Sequence, residues 1–315
     1  MYKSISLLLA ILLIAGISFS QEKKVEKSFD GVKSIDLSTA SGDCEIVKGN
    51  GNAVKVKLTY TYDDEDYEPK MDLRGSNLNL EEKFHANNTR GTSNWVLTVP
   101  DGLDIKFNTG SGDFILADLK GNVNYNSGSG DGDIRNFNGE LKVNSGSGDF
   151  RFENVNGELK SNSGSGDHKI TGSNVSAKAN TGSGDVRVDD SKGGFKLNTG
   201  SGDVEAKSLT LIESGNFNTG SGDSEVQLNA ALVEDISVNS GSGDALLDFN
   251  GNKIEGKIVM TCKKKGGDIK APFDFDTEEE YEEGGQTYLK KSVTIGSKDI
   301  DIRVGTGTGT AEIRK

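Results

Sequence analysis

Aspartates recur along this chain at a spacing that would suit metal binding. The hexapeptide Asn-Ser/Thr-Gly-Ser-Gly-Asp occurs eight times, with final aspartates 18 residues apart over the first five intervals and 20 and 21 apart over the last two. Carboxylates stacked about 5 Å apart in water repel by roughly 0.8 kcal/mol per neighbouring pair. Calcium would relieve that repulsion. The aspartates are Asp113, Asp131, Asp149, Asp167, Asp185, Asp203, Asp223 and Asp244.

A hydrogen-bonded corner explains the same column without a metal. Calcium-binding nonapeptide repeats use Gly-Gly-x-Gly-x-Asp spacing, whereas Gly and Asp are adjacent here. Ser, Thr, Asn and Asp side chains bond readily to nearby backbone groups in tight turns. We therefore predict a structural column, with no metal and no cofactor. Calcium remains the alternative at Asp131, Asp149, Asp167, Asp185 and Asp203.

Enzyme chemistry has few candidate residues. The chain has two cysteines, Cys44 and Cys262, in no metal-ligand spacing, and two histidines, His85 and His168. An active site is a singular cluster of unlike groups, and identical residues in every repeat cannot all be catalytic. His168 occupies a column that is apolar in the other repeats, so we expect it to pack inward. We predict no catalytic residues and no enzyme activity.

The repeat unit predicts the fold. The residue three positions after each aspartate is apolar, and the residue two positions after it is mostly charged, which is the alternation of a half-buried strand. A second alternating stretch precedes each asparagine. A two-strand unit cannot bury its own apolar face, but stacked units share one core. The prediction is an all-β protein, a β-solenoid with 18-residue coils and irregular β segments at both ends.

The glycines of the hexapeptide are expected to shape the corner. Glycine adopts positive φ at no steric cost, so we expect positive φ at Gly110, Gly112 and their equivalents. Valine at Gly164 or Gly182 should then destabilise the protein by a few kcal/mol.

The regular repeats divide the chain into three parts. We expect an N-terminal β segment over 30–107, regular coils over 108–250 and a C-terminal β segment over 251–315 that contains an acidic loop from Asp274 to Glu283. The end segments should cover the edge strands of the stack. A degenerate copy of the motif, Thr39–Asp43, precedes the array, and Gly305–Thr310 resembles a last copy.

The first residues predict export. Lys3 precedes an apolar run that is too short to span a membrane, and small residues at Ser18 and Ser20 suit signal peptidase. We predict a signal peptide over 1–20, cleavage before Gln21, and a mature single β-solenoid domain over 21–315. The protein should be extracellular, at the cell surface or periplasmic, without membrane insertion after cleavage.

Charge and composition exclude several partners. The net charge is -13, and a negative field repels nucleic acid and anionic lipid. With 42 Gly and 3 Pro, the composition fits many short strands joined by glycine turns better than it fits disorder.

The residues also match a known family. Trp95–Gly102, followed by Asp104-Ile-Lys-Phe-Asn-Thr-Gly-Ser-Gly-Asp113 and its recurrences, resembles the bacterial putative-adhesin family of Gly-Asp β-strand-repeat domains, which are domains of unknown function. Phe29–Ile35 resembles the head domain of autotransporter adhesins. The resemblance covers about residues 28–315. It implies a β-solenoid, an extracytoplasmic location and an adhesive or envelope-associated role, and it supplies no catalytic residues.

We predict a secreted, non-enzymatic β-solenoid that binds a glycan or protein of the cell surface or envelope. One alternative is a carbohydrate-active β-helix enzyme, in which Arg151, Arg187 and a lysine column would bind a uronate. The lysine column is formed by the outward residues two positions before the repeat asparagines, Lys106, Lys142, Lys160, Lys178 and Lys196. A cleft of unlike charged groups in a single coil would favour the enzyme. The other alternative is a structural or polymerising envelope protein, which bare and complementary end strands would favour.

Overall fold

The protein is an all-β solenoid, as predicted. A computed structural model describes residues 22–86 and 89–315, and the predicted signal peptide lies outside them. Within these ranges no helix is long and apolar enough to cross a membrane. The chain winds between two sheets, here called sheet A and sheet B, whose apolar faces meet in one continuous core.

Each regular coil contributes one strand to each sheet. In most coils a strand of up to eight residues in sheet B leads into the Gly-Ser-Gly-Asp corner, a four- or five-residue strand follows in sheet A, and a short second corner returns the chain to sheet B. The segment Val204–Thr219 is the exception, because it is one 16-residue strand that starts in sheet A and ends in sheet B. The strands of these coils are β8 (Leu103–Thr109), β9 (Phe114–Ala117), β10 (Lys120–Ser127), β11 (Gly132–Arg135), β12 (Asn138–Ser145), β13 (Phe150–Glu153), β14 (Asn156–Ser163), β15 (His168–Thr171), β16 (Asn174–Thr181), β17 (Val186–Asp189), β18 (Lys192–Thr199), β19 (Val204–Thr219), β20 (Ser224–Leu228), β21 (Ile236–Ser240) and β22 (Ala245–Asp248).

Strands of consecutive coils pair in parallel and in register. In sheet B, Leu141 lies beside Leu159, and in sheet A, Phe152 lies beside Ile170. Residues 18 apart therefore form straight columns along the solenoid axis. Apolar columns face inward, and the core includes Phe107, Phe114, Tyr125, Phe137, Phe150 and Phe152. Because neighbouring coils share this core, no coil buries its apolar face alone.

The hexapeptide corner is held by side chains that repeat at every level. In one coil, the Gly166 N–H donates to Ser163 Oγ (2.9 Å), and Ser163 Oγ donates to the carbonyl of Gly148 in the preceding coil (3.2 Å). Asparagines form a second ladder, in which Asn162 Nδ2 donates to Asn144 Oδ1 (3.0 Å). The predicted satisfaction of corner backbone groups is confirmed for Ser, Thr and Asp, whereas the asparagines bond to one another.

The expected reason for the corner glycines is wrong. Gly110 and Gly112 and their equivalents in the other coils do not have positive φ. Coils stack so closely here that a Cβ at Gly128 would lie 2.5 Å from the carbonyl oxygen of Gly110. The closest approaches recur at Gly130, Gly148, Gly166 and Gly184. Close packing of backbone on backbone, rather than a left-handed conformation, excludes a side chain.

Positive φ occurs at the second corner instead. Its residues have φ between 47° and 60°, in a column of Asp118, Asn136, Asn154, Gly172, Asp190 and Ser208. Asp and Asn tolerate this conformation better than most residues. Asn154 Nδ2 also donates to Asn136 Oδ1 (3.1 Å).

The N-terminal strands extend and cap the array. They are β1 (Lys23–Phe29), β2 (Ser34–Thr39), β3 (Asp43–Lys48), β4 (Val54–Tyr60), β5 (Tyr67–Arg74), β6 (Asn77–Phe84) and β7 (Ser93–Val99). The β2–β3 coil stacks directly on β8 and β9. Beyond it, sheet B continues through β6 to β5, and sheet A continues through β7 and β4 to β1.

A buried carboxylate terminates the stack of corners at this end. Glu82 is 9% exposed and lies where a preceding coil would present its carbonyl group. Its Oε2 accepts the Ala40 N–H (3.0 Å), and its Oε1 accepts Tyr67 Oη and Trp95 Nε1 (both 3.1 Å) and Ser93 Oγ. Burial and the Glu82 charge raise the pKa of Tyr67, which keeps the phenol protonated as a donor.

The C-terminal strands leave the array and then return to it. They are β23 (Gly256–Lys263), β24 (Asp268–Lys270), β25 (Thr277–Glu283), β26 (Gln286–Ile295), β27 (Asp301–Thr306) and β28 (Thr310–Arg314). The β27–β28 coil inserts between β21–β22 and β23–β24. Its corner is the predicted last copy of the motif, because the Thr310 N–H donates to Asp244 Oδ1 (2.7 Å).

The acidic segment expected as a loop is largely a strand. β25 forms a hairpin with β26 at the edge of sheet B, and all seven of its residues are exposed. Five of them are glutamates. Charged side chains on an edge strand discourage pairing with other chains.

Candidate functional site

The aspartate column is a hydrogen-bonded ladder. The Asp149 N–H donates to Asp131 Oδ1, and the Asp167 N–H donates to Asp149 Oδ1, both over 2.8 Å. The ladder starts at Asp43 and ends at the Thr310 N–H. The N–H of the glycine before each aspartate donates to the Ser or Thr hydroxyl of the corner and not to a carboxylate.

Stability of the ladder should not depend on calcium, because a backbone N–H already offsets the charge of each inner carboxylate. We expect the unfolding temperature to change by less than 2 °C in excess EDTA or in millimolar Ca²⁺. A thermal melt followed by circular dichroism measures this. Unfolding in EDTA that reverses with Ca²⁺ would assign a metal to Asp131, Asp149, Asp167, Asp185 and Asp203.

A groove runs beside the ladder on the outer face of sheet A. It has a volume of about 500 Å³. One wall is the aspartate ladder from Asp113 to Asp185, and the other is a column of outward residues two positions further along each coil. That second column reads Ile115, Asp133, Arg151, Lys169 and Arg187.

The cations of the groove differ in how they are paired. Arg187 Nη2 lies 2.9 Å from Asp185 Oδ2, and its Nε lies 3.4 Å from Glu205 Oε2. Lys169 Nζ is 3.7 Å from Asp189 Oδ2. Arg151 is exposed and has no carboxylate within 4.0 Å among residues 22–86 and 89–315. The groove therefore offers acceptors on one wall and at least one available guanidinium on the other.

His168 lies under the groove and packs inward, as predicted. It is 1% exposed, its ring centroid is 5.8 Å from that of Phe150, and neither ring nitrogen has a hydrogen-bond partner. Ser161, on the sheet B strand of the same coil, also has an unpartnered buried hydroxyl. Burial lowers the pKa of His168 from 6.5 to about 4.

Acid should therefore destabilise the protein through His168. The folded state holds the ring neutral, while the unfolded chain binds a proton below pH 6.5, so stability from this residue is lost as pH falls from 6.5 to 4. The wild type should lose about 2 kcal/mol more than His168→Val between pH 7 and pH 4.5. Urea unfolding at both pH values measures the difference. His85→Gln is the exposed control, and a pH-independent gap between wild type and His168→Val would contradict the assignment.

The lysine column and the groove arginines do not share a face. Lys142, Lys160, Lys178 and Lys196 lie on the outer face of sheet B, whereas Arg151 belongs to sheet A. The sequence does not show directly that the two columns lie on different sheets, because the corner between the two strands interrupts the alternation of inward and outward residues. The combined uronate site considered for an enzyme is therefore not formed by these two columns.

Two matches to one family model cover almost all of the described chain. The model, Toastrack DUF4097, matches residues 32–208 and 140–313. The chain belongs to the Toastrack DUF4097 family. The resemblance to adhesin-like Gly-Asp repeat domains of unknown function is thereby confirmed. Both matches contain the coils that form most of the groove.

Several solved structures are similar to this chain at low sequence identity. A putative cell adhesion protein from Clostridium sporogenes is 14% identical, with 93% of this chain and 99% of that chain covered and a TM-score of 0.22. Putative adhesins from Parabacteroides merdae and Parabacteroides distasonis are each 13% identical. Coverage is 69% of this chain and 93% of that chain for the first (TM-score 0.32), and 94% and 98% for the second (TM-score 0.30). No curated protein matches.

Both thiols of this Toastrack chain belong to the core. Cys44 and Cys262 are buried and unpaired, and burial raises the pKa of each. A reactive cysteine needs an accessible thiolate, and neither residue presents one. Trp95 is also fully buried, as a core residue that donates to Glu82.

The sequence analysis missed two acidic residues with non-repeating roles. Glu82 closes the N-terminal corner stack, and Glu213 lies beside the lysine column after an irregularity in β19. The insertion that lengthens the interval from Asp203 to Asp223 was the signal for Glu213. The only sequence signal at Glu82 was that a charged residue continues the inward alternation of Leu78 and Leu80.

Proposed function

We propose that this protein is an exported, non-enzymatic binding protein of the cell envelope. In this proposal the mature chain, 21–315, is one solenoid domain located outside the cell, on its surface or in the periplasm. Its partner is a glycan or protein of the envelope, and the groove of sheet A is the contact surface.

Repetition of one surface chemistry carries the proposal. The groove presents an aspartate in each of five successive coils and a cation in three of them. Such a surface suits an extended partner that makes the same contacts several times, because individually weak contacts add along the axis. Catalysis needs a singular set of groups, and His168, the one histidine near the groove, is buried.

Charge reversal in the groove tests the contact surface. The exported protein is screened against immobilised envelope glycans and surface proteins, and each ligand found is retested with the double variant Arg151→Glu and Lys169→Glu. We expect binding to weaken at least tenfold. The double variant Lys55→Glu and Lys57→Glu is the matched control, because both residues are exposed cations on the same sheet outside the groove. Equal binding by both variants would show that the groove is not the contact surface. Turnover of a glycan would contradict the non-enzymatic role.

Export has its own test. Mass spectrometry of the protein recovered from the periplasm or medium should show a chain that begins at Gln21, because Ser18 and Ser20 satisfy the small-residue requirement of the cleavage site. A membrane-retained product that still carries Met1 would contradict export.

The end strands support a second candidate, a polymerising envelope protein. The sheet A edge strand β1 carries Lys23, Lys24 and Lys27, and the sheet B edge strand β25 at the other end carries five glutamates. Opposite charge favours end-to-end contact, although the two edges belong to different sheets. Sedimentation velocity at low salt decides between the candidates: filaments support polymerisation, and a concentration-independent monomer excludes it.

A further inference from the structure

The outer face of sheet B carries lysines in four consecutive coils. Lys142 lies beside Lys160, Lys160 beside Lys178, and Lys178 beside Lys196. Neighbouring strands are about 4.8 Å apart, and like charges directly opposite each other destabilise a sheet. The fold thus keeps a cationic row on a protein whose net charge is -13.

The row is neutralised in its first half only. Lys142 Nζ lies 2.7 Å from Glu140 Oε1, and Lys160 Nζ lies 3.3 Å from Glu158 Oε2. In the next two coils the glutamate column continues as Ser176 and Gly194. Lys178 and Lys196 therefore have no carboxylate within 4.0 Å in the described part of the chain.

An irregularity in the next coil builds a depression beside these two lysines. The register of β18 and β19 shifts between Gly193 and Phe195. The Glu213 carboxylate then lies over Gly194, where a Cβ would be 2.6 Å from its Oε2, and it accepts the Ser176 hydroxyl (3.2 Å). The depression has a volume of about 240 Å³, and its charged lining is three lysines and two glutamates, namely Lys160, Lys178, Lys196, Glu158 and Glu213.

These groups select a particular kind of ligand. Two ammonium groups without protein counter-ions favour an anion, and a fixed carboxylate beside them accepts hydrogen bonds from hydroxyl groups. A sugar that carries a carboxylate supplies both. A DNA backbone supplies phosphates but no hydroxyl groups that could donate to Glu213. We propose that this depression binds a uronate unit of a linear acidic glycan, with its carboxylate at Lys178 and Lys196 and a hydroxyl at Glu213.

The site goes beyond the proposed function. It lies on the sheet opposite the groove and does not require groove binding. Variants of the lysine row therefore test this site, and variants of the groove test the proposed function, so that either proposal can be contradicted without the other.

Polygalacturonate, a linear uronate polymer, is the probe. The exported protein should bind it when immobilised, and the double variant Lys178→Ala and Lys196→Ala should bind at least tenfold more weakly. The control Lys106→Ala and Lys142→Ala removes two charges from the same face of sheet B outside the depression, and it should change binding less than threefold. Glu213→Gln should also weaken binding, by threefold or more.

Further arms identify the ligand chemistry. Fully methyl-esterified polygalacturonate keeps the sugar backbone without its charge and should not bind. Single-stranded DNA of equal charge should bind at least tenfold more weakly than polygalacturonate. The proposal would be overturned if both lysine double variants lost binding equally, or if the methyl ester or DNA bound as tightly as polygalacturonate. It would also be overturned if polygalacturonate did not bind. Circular dichroism of every variant checks folding, and Lys178→Gln with Lys196→Gln replaces the alanine pair if that pair does not fold.

Discussion

Replacing Glu82 by alanine should lower the free energy of unfolding by about 5 kcal/mol. The change leaves the Trp95 indole N–H, the Tyr67 and Ser93 hydroxyls and the Ala40 N–H without their acceptor. Each buried donor without a partner costs about 1–3 kcal/mol. Urea unfolding followed by Trp95 fluorescence reports on this site, because Trp95 is the single tryptophan.

Glu81→Ala is the matched control for this result. Glu81 lies on the same strand, is partly exposed, and has no contact with the four donors. It should change stability by less than 1 kcal/mol. A similar small change in Glu82→Ala would show that the carboxylate does not cap the corner stack.

Gly166→Ala should destabilise the protein by about 4 kcal/mol. Its Cβ would overlap the carbonyl of Gly148, which accepts the Ser163 hydroxyl and, as part of the backbone, cannot rotate away as a side chain would. Valine at Gly164 or Gly182 is still expected to destabilise the protein. The cause is overlap with the carbonyl of the preceding coil and not a positive φ. Thermal and urea unfolding of the variant measure the loss.

Ser165→Ala controls for the corner glycine. Ser165 lies between Gly164 and Gly166, is exposed, and makes no side-chain hydrogen bond among the described residues. It should change stability by less than 0.5 kcal/mol. If Gly166→Ala is equally mild, the coils do not approach as closely as the carbonyl stacking requires.

Repetition explains what could be predicted from the sequence. A side chain that satisfies a corner in one coil must satisfy it in the next, so Asn162, Ser163 and Asp167 recur at a period of 18. The same argument placed His168 in the core, because its column is otherwise apolar. Strand alternation within each unit then defined the two inward faces.

Other features were hidden for physical reasons. Glycine is selected both by positive φ and by close backbone contact, so the sequence could not separate these causes at Gly166. The corner breaks alternation between Lys160 and Lys169, which left open whether both faced one surface. Glu82 and Glu213 act through contacts that occur once, and no period reveals such contacts.

Removal of one coil tests the central claim most directly, namely that the chain is a stack of interchangeable 18-residue units. Deletion of residues 168–185 joins Asp167 to Val186 and brings β14 beside β18 with matching columns. Deletion of residues 168–176 removes half a coil and exchanges the sheets of all later strands. We predict that the 18-residue deletion unfolds cooperatively, with β-sheet circular dichroism and a melting temperature within 10 °C of the full chain, and that the nine-residue deletion does not fold. Equal loss of structure in both would contradict the solenoid account.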